Sequence, residues 1–127
     1  MTTARYRAAC AALGLPVWRP GMRAVAARPE PLEPVCSRAP DDLRGWTPYP
    51  GAEPDLCDPA TVGCLLAAVR EVWGALSSAL PNPYEAPGER WRVFSGDESG
   101  DEVACGPTEA DALIAALEAA ARRGGQP

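Results

Sequence analysis

The sequence predicts a small α+β domain in which two or three helices cover a small, mostly antiparallel sheet. Residues 58–77 and 108–123 carry the caps and apolar stripes that are typical of helices. Residues 90–105 alternate between apolar and polar side chains around a polar turn, as the two strands of a hairpin do. Ten prolines within residues 16–59 exclude a helix there and leave room only for short strands.

A chain of 127 residues suits one domain, and we expect a single domain over residues 1–127. Within it we expect an N-terminal helix over 1–15, a proline-rich segment with short strands over 16–57, and a helix–hairpin–helix core over 58–123. Hydrophobic residues make up 46% of the chain, but many of them are alanine. The four tryptophans are therefore expected to supply much of the buried area.

Charge and composition exclude several classes of function. The chain contains twelve arginines but no lysine and no histidine, so Ser–His, Cys–His and His–metal constellations are all excluded. The formal net charge of -5 argues against nucleic acid as the partner, because such binding depends on neutralising phosphates. Residues 1–28 are basic, which indicates arginines around an amphipathic helix or, alternatively, an arm for nucleic acid or an acidic partner.

The pattern of apolar residues and cysteines favours a cytoplasmic protein. We find no secretory signal and no apolar segment of about 20 residues that could span a bilayer. The five cysteines are an odd number without a CxxC pair, which fits reduced thiols better than disulfides. Their scatter predicts no metal site, and nothing in the sequence predicts a cofactor.

The first helix is predicted to start at Thr2 or Thr3 and to end near Leu13, before Gly14 and Pro16. Its apolar face follows helical spacing and comprises Tyr6, Ala9, Cys10 and Leu13. A helix of this length depends on tertiary contacts to persist.

Aromatic side chains in the proline-rich segment argue that part of it packs, although a disordered arm is the alternative. Its short strands are predicted at 22–28, 34–37 and 43–49. Trp46 and Tyr49 could form an exposed interaction surface, since aromatic residues are enriched at binding hot spots. The other interpretation is that they hold an irregular loop against its sheet.

The second helix has the clearest local signals. Asp58 is a good N-cap, and Pro59 occupies the first helical position, where its missing N–H costs nothing. Gly74 is expected to end the helix near Ser77, and Pro81 excludes a continuation. The apolar stripe comprises Val62, Leu65, Leu66, Val69, Val72, Trp73 and Leu76.

A hairpin and a third helix are predicted to complete the chain. The strands are 90–95 and 102–105, joined by a polar turn at 96–101. Thr108 is the predicted N-cap of the third helix, which ends at Gly124. Its apolar face comprises Ala110, Leu113, Ile114, Leu117 and Ala121.

Few residues are candidates for chemistry, and we predict no catalytic site. Cys57 precedes a helix N-terminus, which lowers a thiol pKa, and it is the one candidate nucleophile. Cys64 is interpreted as a small core residue. The acidic hairpin tip lacks the ligand spacing of a calcium loop and is interpreted as solvated; it comprises Asp97, Glu98, Asp101 and Glu102.

A small anion is the alternative type of ligand. The backbone amides at the start of the third helix could hold a nucleotide or another anion, with Arg90 and Arg92 supplying charge beside Thr108. The competing interpretation is that Thr108 only caps its own helix.

Residues 54–121 carry a resemblance. The runs at 54–56 (PDL), 58–61 (DPAT), 63–67 (GCLLA), 69–71 (VRE) and 73–74 (WG) resemble a signature of small phage and prophage proteins of unknown role. The strand around Trp91 and the following runs at 107–110 (PTEA) and 112–120 (ALIAALEAA) resemble it as well. The arrangement is similar to the phage ABA-sandwich domains, in which helices cover a small sheet. Residues 1–53 depart from the pattern by their prolines.

This resemblance implies a phage or prophage accessory protein in a bacterial cytoplasm, and it implies no reaction or active site. Together with the missing catalytic groups, it predicts a non-enzymatic protein that binds a host or phage macromolecule, most simply a protein. The alternative is a protein that binds a nucleotide or another small anion. The sequence does not predict the oligomeric state.

Overall fold

The computed structural model describes residues 2–26, 37–48, 51–82 and 87–124. In these residues three helices flank two groups of three strands along the chain, which confirms the predicted α+β class. The elements are α1 (Thr2–Leu13), β1 (Arg23–Ala26), β2 (Ser37–Arg38), β3 (Ala52–Pro54), α2 (Pro59–Trp73), β4 (Ser78–Pro81), β5 (Trp91–Phe94), β6 (Glu102–Gly106) and α3 (Glu109–Gly124), with a 3-10 turn at Pro87–Glu89.

The described strands form two three-stranded antiparallel sheets rather than one. The strand order is β2-β1-β3 in the first sheet and β4-β5-β6 in the second. Helix α2 separates the two groups of strands along the chain, and each sheet pairs strands from one side of α2.

The chain divides into two compact units. The main unit comprises Met1–Val17 and Leu65–Pro127, and the central unit comprises Trp18–Cys64. The boundary therefore falls within α2. The expectation of a single domain stays a prediction.

The central unit has a thin core, as its alanine content predicts. Met22 and Ala24 are fully buried, and Ala52 is nearly so. Of the strands predicted here, 22–28 is confirmed over β1 (Arg23–Ala26), with 27–28 outside the described residues, and of 34–37 only Ser37 is described, at the start of β2.

Residues 43–48 contain no strand, so the prediction for 43–49 is wrong for its described part. The reason is a tight turn, in which Trp46 N–H donates to the Leu43 carbonyl at 3.0 Å and Gly45 has a φ of +74°. The second pairing partner of β1, beside β2, is instead β3, which the sequence pattern does not predict because it is short and ends in Pro54.

In the main unit, α3 packs against the second sheet and against α1. The buried face of α3 includes Leu113, Ile114 and Leu117, as predicted, and Val93 of β5 is also fully buried. The predicted α1 is confirmed, and its Tyr6 is fully buried with its hydroxyl donating to the Val17 carbonyl at 2.6 Å.

The end of α2 shows how β4 arises. Gly74 has a φ of +115°, a left-handed value that glycine adopts without strain, and the helix stops at Trp73, before the predicted Ser77. The chain then turns into β4, which was not predicted because Pro81 argues against a strand. Pro81 is tolerated because Asn82 N–H donates to the Arg90 carbonyl. By alternation, the backbone of Pro81 then faces the edge with which no described strand pairs.

The hairpin and the third helix are confirmed. Strands β5 and β6 pair in antiparallel register, with Arg92 opposite Cys105. Thr108 caps α3, since its Oγ1 accepts from Asp111 N–H at 3.1 Å. No helix in the described residues is long and apolar enough to cross a membrane.

Candidate functional site

Two residues of the predicted anion site, Arg92 and Thr108, have structural partners of their own. Arg92 Nε lies 3.4 Å from Glu102 Oε1, and Thr108 is engaged as the cap of α3. Arg90 is exposed at the start of β5. The structure therefore accounts for Thr108 as a helix cap and pairs Arg92 with Glu102, and the anion site stays a prediction.

Of the predicted aromatic surface, Tyr49 lies outside the described residues. Trp46 is half-buried and contacts Trp18 in a T-shaped arrangement, with ring centroids 5.7 Å apart and planes at 73°. Such pairs stabilise a loop. The contact is in accord with a packing role for Trp46, and its role in binding stays a prediction.

The described cysteines provide no recognisable nucleophile with a base. Cys57 is exposed, and its backbone N–H donates to Asp55 Oδ1 at 3.0 Å. Cys64 is half-buried; its thiol donates to the Pro20 carbonyl at 3.3 Å, and burial raises its pKa, which disfavours the thiolate. Within the ranges that the structure describes, no group of three or more acidic or cysteine side chains could hold a metal ion.

The main unit contains one further feature, a cleft that sequence reasoning missed. It has a volume of about 420 Å³ and lies between the end of α2, the β5–β6 turn and the end of α3. We call it the Trp73 cleft. Its lining comprises Trp73, Ser95, Asp97, Ser99, Asp101, Glu102, Val103 and Arg123.

Trp73 is held firmly in place in this cleft. Its indole Nε1–H donates to the Ala116 carbonyl of α3 at 2.8 Å. The guanidinium carbon of Arg123 lies 5.0 Å from the centroid of the Trp73 ring, within the range of a cation–π interaction. The hydrogen bond to α3 therefore fixes the indole ring, and the Arg123 guanidinium already lies over that ring.

A buried hydrogen-bond network joins the end of α2 to the β5–β6 turn. Gly96 N–H donates to the Trp73 carbonyl at 3.1 Å and to Ser77 Oγ at 2.9 Å. Ser95 Oγ donates to the same Trp73 carbonyl at 3.3 Å, and Ser77 is fully buried. Satisfied buried networks of this kind make a site rigid.

The backbone approach at this junction requires glycine. A Cβ on Gly96 would lie 2.4 Å from Ser77 N and 2.7 Å from Leu76 N, both backbone atoms. Since real Cβ atoms never come so close to backbone nitrogen, Gly96 has to lack a side chain. The close approach of the backbone at Gly96 to residues 76–77 therefore determines the shape of this wall of the cleft.

The three carboxylates of the cleft differ in their availability. Asp97 Oδ1 accepts from the N–H groups of Ser99 and Gly100 at 2.9 and 3.3 Å, and the Ser99 hydroxyl lowers the Asp97 pKa. Glu102 pairs with Arg92. The Asp101 carboxylate is exposed and forms no hydrogen bond or ion pair with a described residue, so it is the carboxylate most available to a ligand.

The residues that line this cleft have different interpretations in the sequence, so no pattern groups them into one site. Trp73 belongs to the predicted stripe of α2, Asp101 to the solvated turn, and Arg123 to the last turn of α3. Only the left-handed Gly74 and the close approach at Gly96 bring them together, and neither leaves a periodic pattern in the sequence.

Comparison of the chain with protein-family models, with curated proteins and with solved structures gave no match.

Proposed function

We propose that this chain is a non-enzymatic phage or prophage accessory protein that binds a host or phage protein in the bacterial cytoplasm through the Trp73 cleft. The observation that carries the proposal is the rigid Trp73 ring in the same cleft as the exposed Asp101 carboxylate. A preorganised aromatic wall with a polar rim is the usual anatomy of a binding hot spot.

A binding role fits the available groups better than catalysis does. The chain has no histidine or lysine, and the carboxylates of the cleft are either committed to local contacts or exposed. General acid–base catalysis needs a positioned group whose pKa is tuned towards neutral pH, whereas the pKa of Asp97 is lowered by its hydrogen bond from the Ser99 hydroxyl. The raised pKa of the Cys64 thiol also weakens a nucleophilic role.

A protein partner fits the charge better than nucleic acid does. Three carboxylates line the cleft, and the chain as a whole carries a net charge of -5. Both would repel phosphates, which dominate nucleic-acid affinity. The alternative, a small anion near Arg90 and Arg92, has less support because Glu102 already pairs with Arg92.

A charge-reversal experiment tests the proposal. Tagged wild-type protein, Asp101→Arg and Glu98→Arg would be expressed in phage-infected bacteria, cross-linked and purified. Both substitutions change an exposed acid of the same turn, but only Asp101 lines the cleft. We expect a specific protein that is recovered with wild type and Glu98→Arg and is lost with Asp101→Arg.

Two results would contradict the proposal. One is the recovery of no specific protein with the wild-type chain. The other is a partner that Asp101→Arg retains at the wild-type level, since that partner would use another surface.

A further inference from the structure

We propose that the Trp73 cleft recognises the guanidinium group of an arginine on the partner protein, and that Arg123 is an intramolecular occupant which this arginine displaces. The inference rests on the proposed function, because it specifies the chemistry that the same cleft recognises. The Arg123–Trp73 contact is then regulatory, because Arg123 in the C-terminal turn of α3 competes with the partner's arginine for the face of the Trp73 ring.

The first argument is the position of Arg123. Its guanidinium carbon lies 5.0 Å from the ring centroid of Trp73, so the ring face accepts a planar cation in this orientation. The Arg123 side chain is exposed and forms no ion pair or hydrogen bond with a described residue. The cation–π contact is thus the one interaction of its guanidinium within the described residues, so a competing cation can displace it at small cost.

The second argument is that the ring does not depend on Arg123. The Trp73 indole N–H is bound to the Ala116 carbonyl at 2.8 Å, and the Trp73 carbonyl accepts from Gly96 N–H at 3.1 Å. Both contacts remain when Arg123 leaves. The face is therefore preorganised for the next cation.

The third argument is the charge that Arg123 leaves unpaired. Asp101 lines the same cleft, and its carboxylate has no partner in the described part of the chain. An incoming arginine can stack on Trp73 and pair with Asp101, whereas Arg123 makes only the first contact. Arginine suits simultaneous contact with Trp73 and Asp101 better than lysine does, because the guanidinium combines a flat face with a fork of N–H donors.

The competition predicts the sign and the size of a mutational effect. A cation–π contact at an exposed site contributes about 0.5–1 kcal/mol, so removing Arg123 should tighten binding of an arginine probe about two- to fivefold. Arg122→Ala is the matched control, because Arg122 is the exposed neighbour with the same charge and does not line the cleft.

The experiment is an NMR titration of the full chain with a capped peptide, Gly-Gly-Arg-Gly-Gly. The same peptide with lysine or with neutral citrulline in place of arginine serves as a comparison. The Trp73 indole N–H resonance, assigned by its loss in Trp73→Phe, reports on the ring face. We expect a saturable shift with the arginine peptide, a smaller shift with lysine and none with citrulline.

Arg123→Ala should lower the dissociation constant of the arginine peptide about two- to fivefold, and Arg122→Ala should leave it at the wild-type value. Asp101→Asn should raise it. The inference is overturned if millimolar arginine peptide leaves the Trp73 resonance unmoved in both wild type and Arg123→Ala, or if Arg122→Ala and Arg123→Ala act equally.

The outcome is separable from that of the proposed function. A partner protein lost on Asp101→Arg, together with an unmoved Trp73 resonance, would retain the proposed function and refute arginine recognition. A shift of the Trp73 resonance with the arginine peptide, without recovery of any partner protein, would retain arginine recognition and refute the proposed function.

Discussion

The most informative test of the fold is the replacement of Asp58, which lies at the start of α2. Its side chain is only 8% exposed, and its two oxygens accept four hydrogen bonds. Arg38 donates to Oδ2 at 2.9 Å and to Oδ1 at 3.1 Å, while the Thr61 N–H and hydroxyl donate to Oδ2 at 3.1 and 3.0 Å. We expect Asp58→Ala to lower the free energy of unfolding by about 2 kcal/mol at pH 6.

The expected cost of Asp58→Ala follows from the lowered pKa of Asp58. The Arg38 hydrogen bonds, with help from Thr61, lower the pKa of Asp58 from 3.8 to about 2, which corresponds to about 2 kcal/mol in favour of the folded state. The side chain of Arg38 is 49% exposed, so solvent screens the ion pair, and we assign it about 1 kcal/mol. The cap on Thr61 contributes about 1 kcal/mol.

Asparagine separates the two contributions, because it caps helices as well as aspartate does but carries no charge. Asp58→Asn should therefore cost about 1 kcal/mol at pH 6. Because the folded pKa lies below the unfolded value, the charge-dependent stability is present above pH 3.8 and is lost as the pH falls through about 2. The difference between wild type and Asp58→Asn should thus almost vanish at pH 2.

Urea unfolding followed by tryptophan fluorescence and circular dichroism, at pH 6 and at pH 2, measures these differences. The control is Asp42→Asn, which breaks an equally direct pair with Arg44 whose side chains are 92% and 60% exposed for arginine and aspartate. We expect no measurable change there. The reasoning is refuted if Asp42→Asn costs as much as Asp58→Asn, or if the cost of Asp58→Asn is the same at both pH values.

Three further substitutions test the packing, each by the midpoint and free energy of urea unfolding. Gly96→Ala should cost more than about 2 kcal/mol, because its Cβ would lie 2.4 Å from Ser77 N; an unchanged midpoint would refute this close approach. Gly63→Ala, exposed in α2 with no atom within 4 Å of its Cβ, should instead stabilise by about 0.5–1 kcal/mol. Tyr6→Phe should cost about 1–2 kcal/mol, because the Val17 carbonyl loses its donor; a neutral effect would show that water replaces it.

The elements that the sequence predicts correctly are those with local signals. Helix α3 has Thr108 as a cap and an apolar stripe, and the cap bond to Asp111 N–H is present as expected. Helix α2 has Asp58 and Pro59 at its start, and the hairpin has alternation on both sides of a polar turn. Each signal lies within a few residues of the structure that it specifies, so one sequence is enough to detect it.

The strands that the sequence does not predict depend on pairing partners outside their own segments. Strand β3 has three residues, ends in Pro54 and exists because β1 pairs with it. Strand β4 ends in Pro81, which its edge position tolerates. Neither has a period of its own, and the division into two sheets follows from pairings that no local pattern encodes.

The cleft was missed for a related reason, and that reason guides how it should be tested. Trp73 is fixed by the backbone junction at Gly74 and Gly96, so the network that shapes the cleft also stabilises the main unit. Substitutions at Gly96 would lose binding and stability together and would say nothing about recognition. The Asp101 side chain is exposed and lies outside that network, so Asp101→Asn should change binding while the unfolding midpoint stays at the wild-type value. Arg123→Ala should lower the free energy of unfolding by no more than about 0.5–1 kcal/mol, the contribution of its contact with Trp73, while it tightens binding. If both midpoint and binding fell in Asp101→Asn, the loss of binding would be a consequence of unfolding rather than of a lost contact.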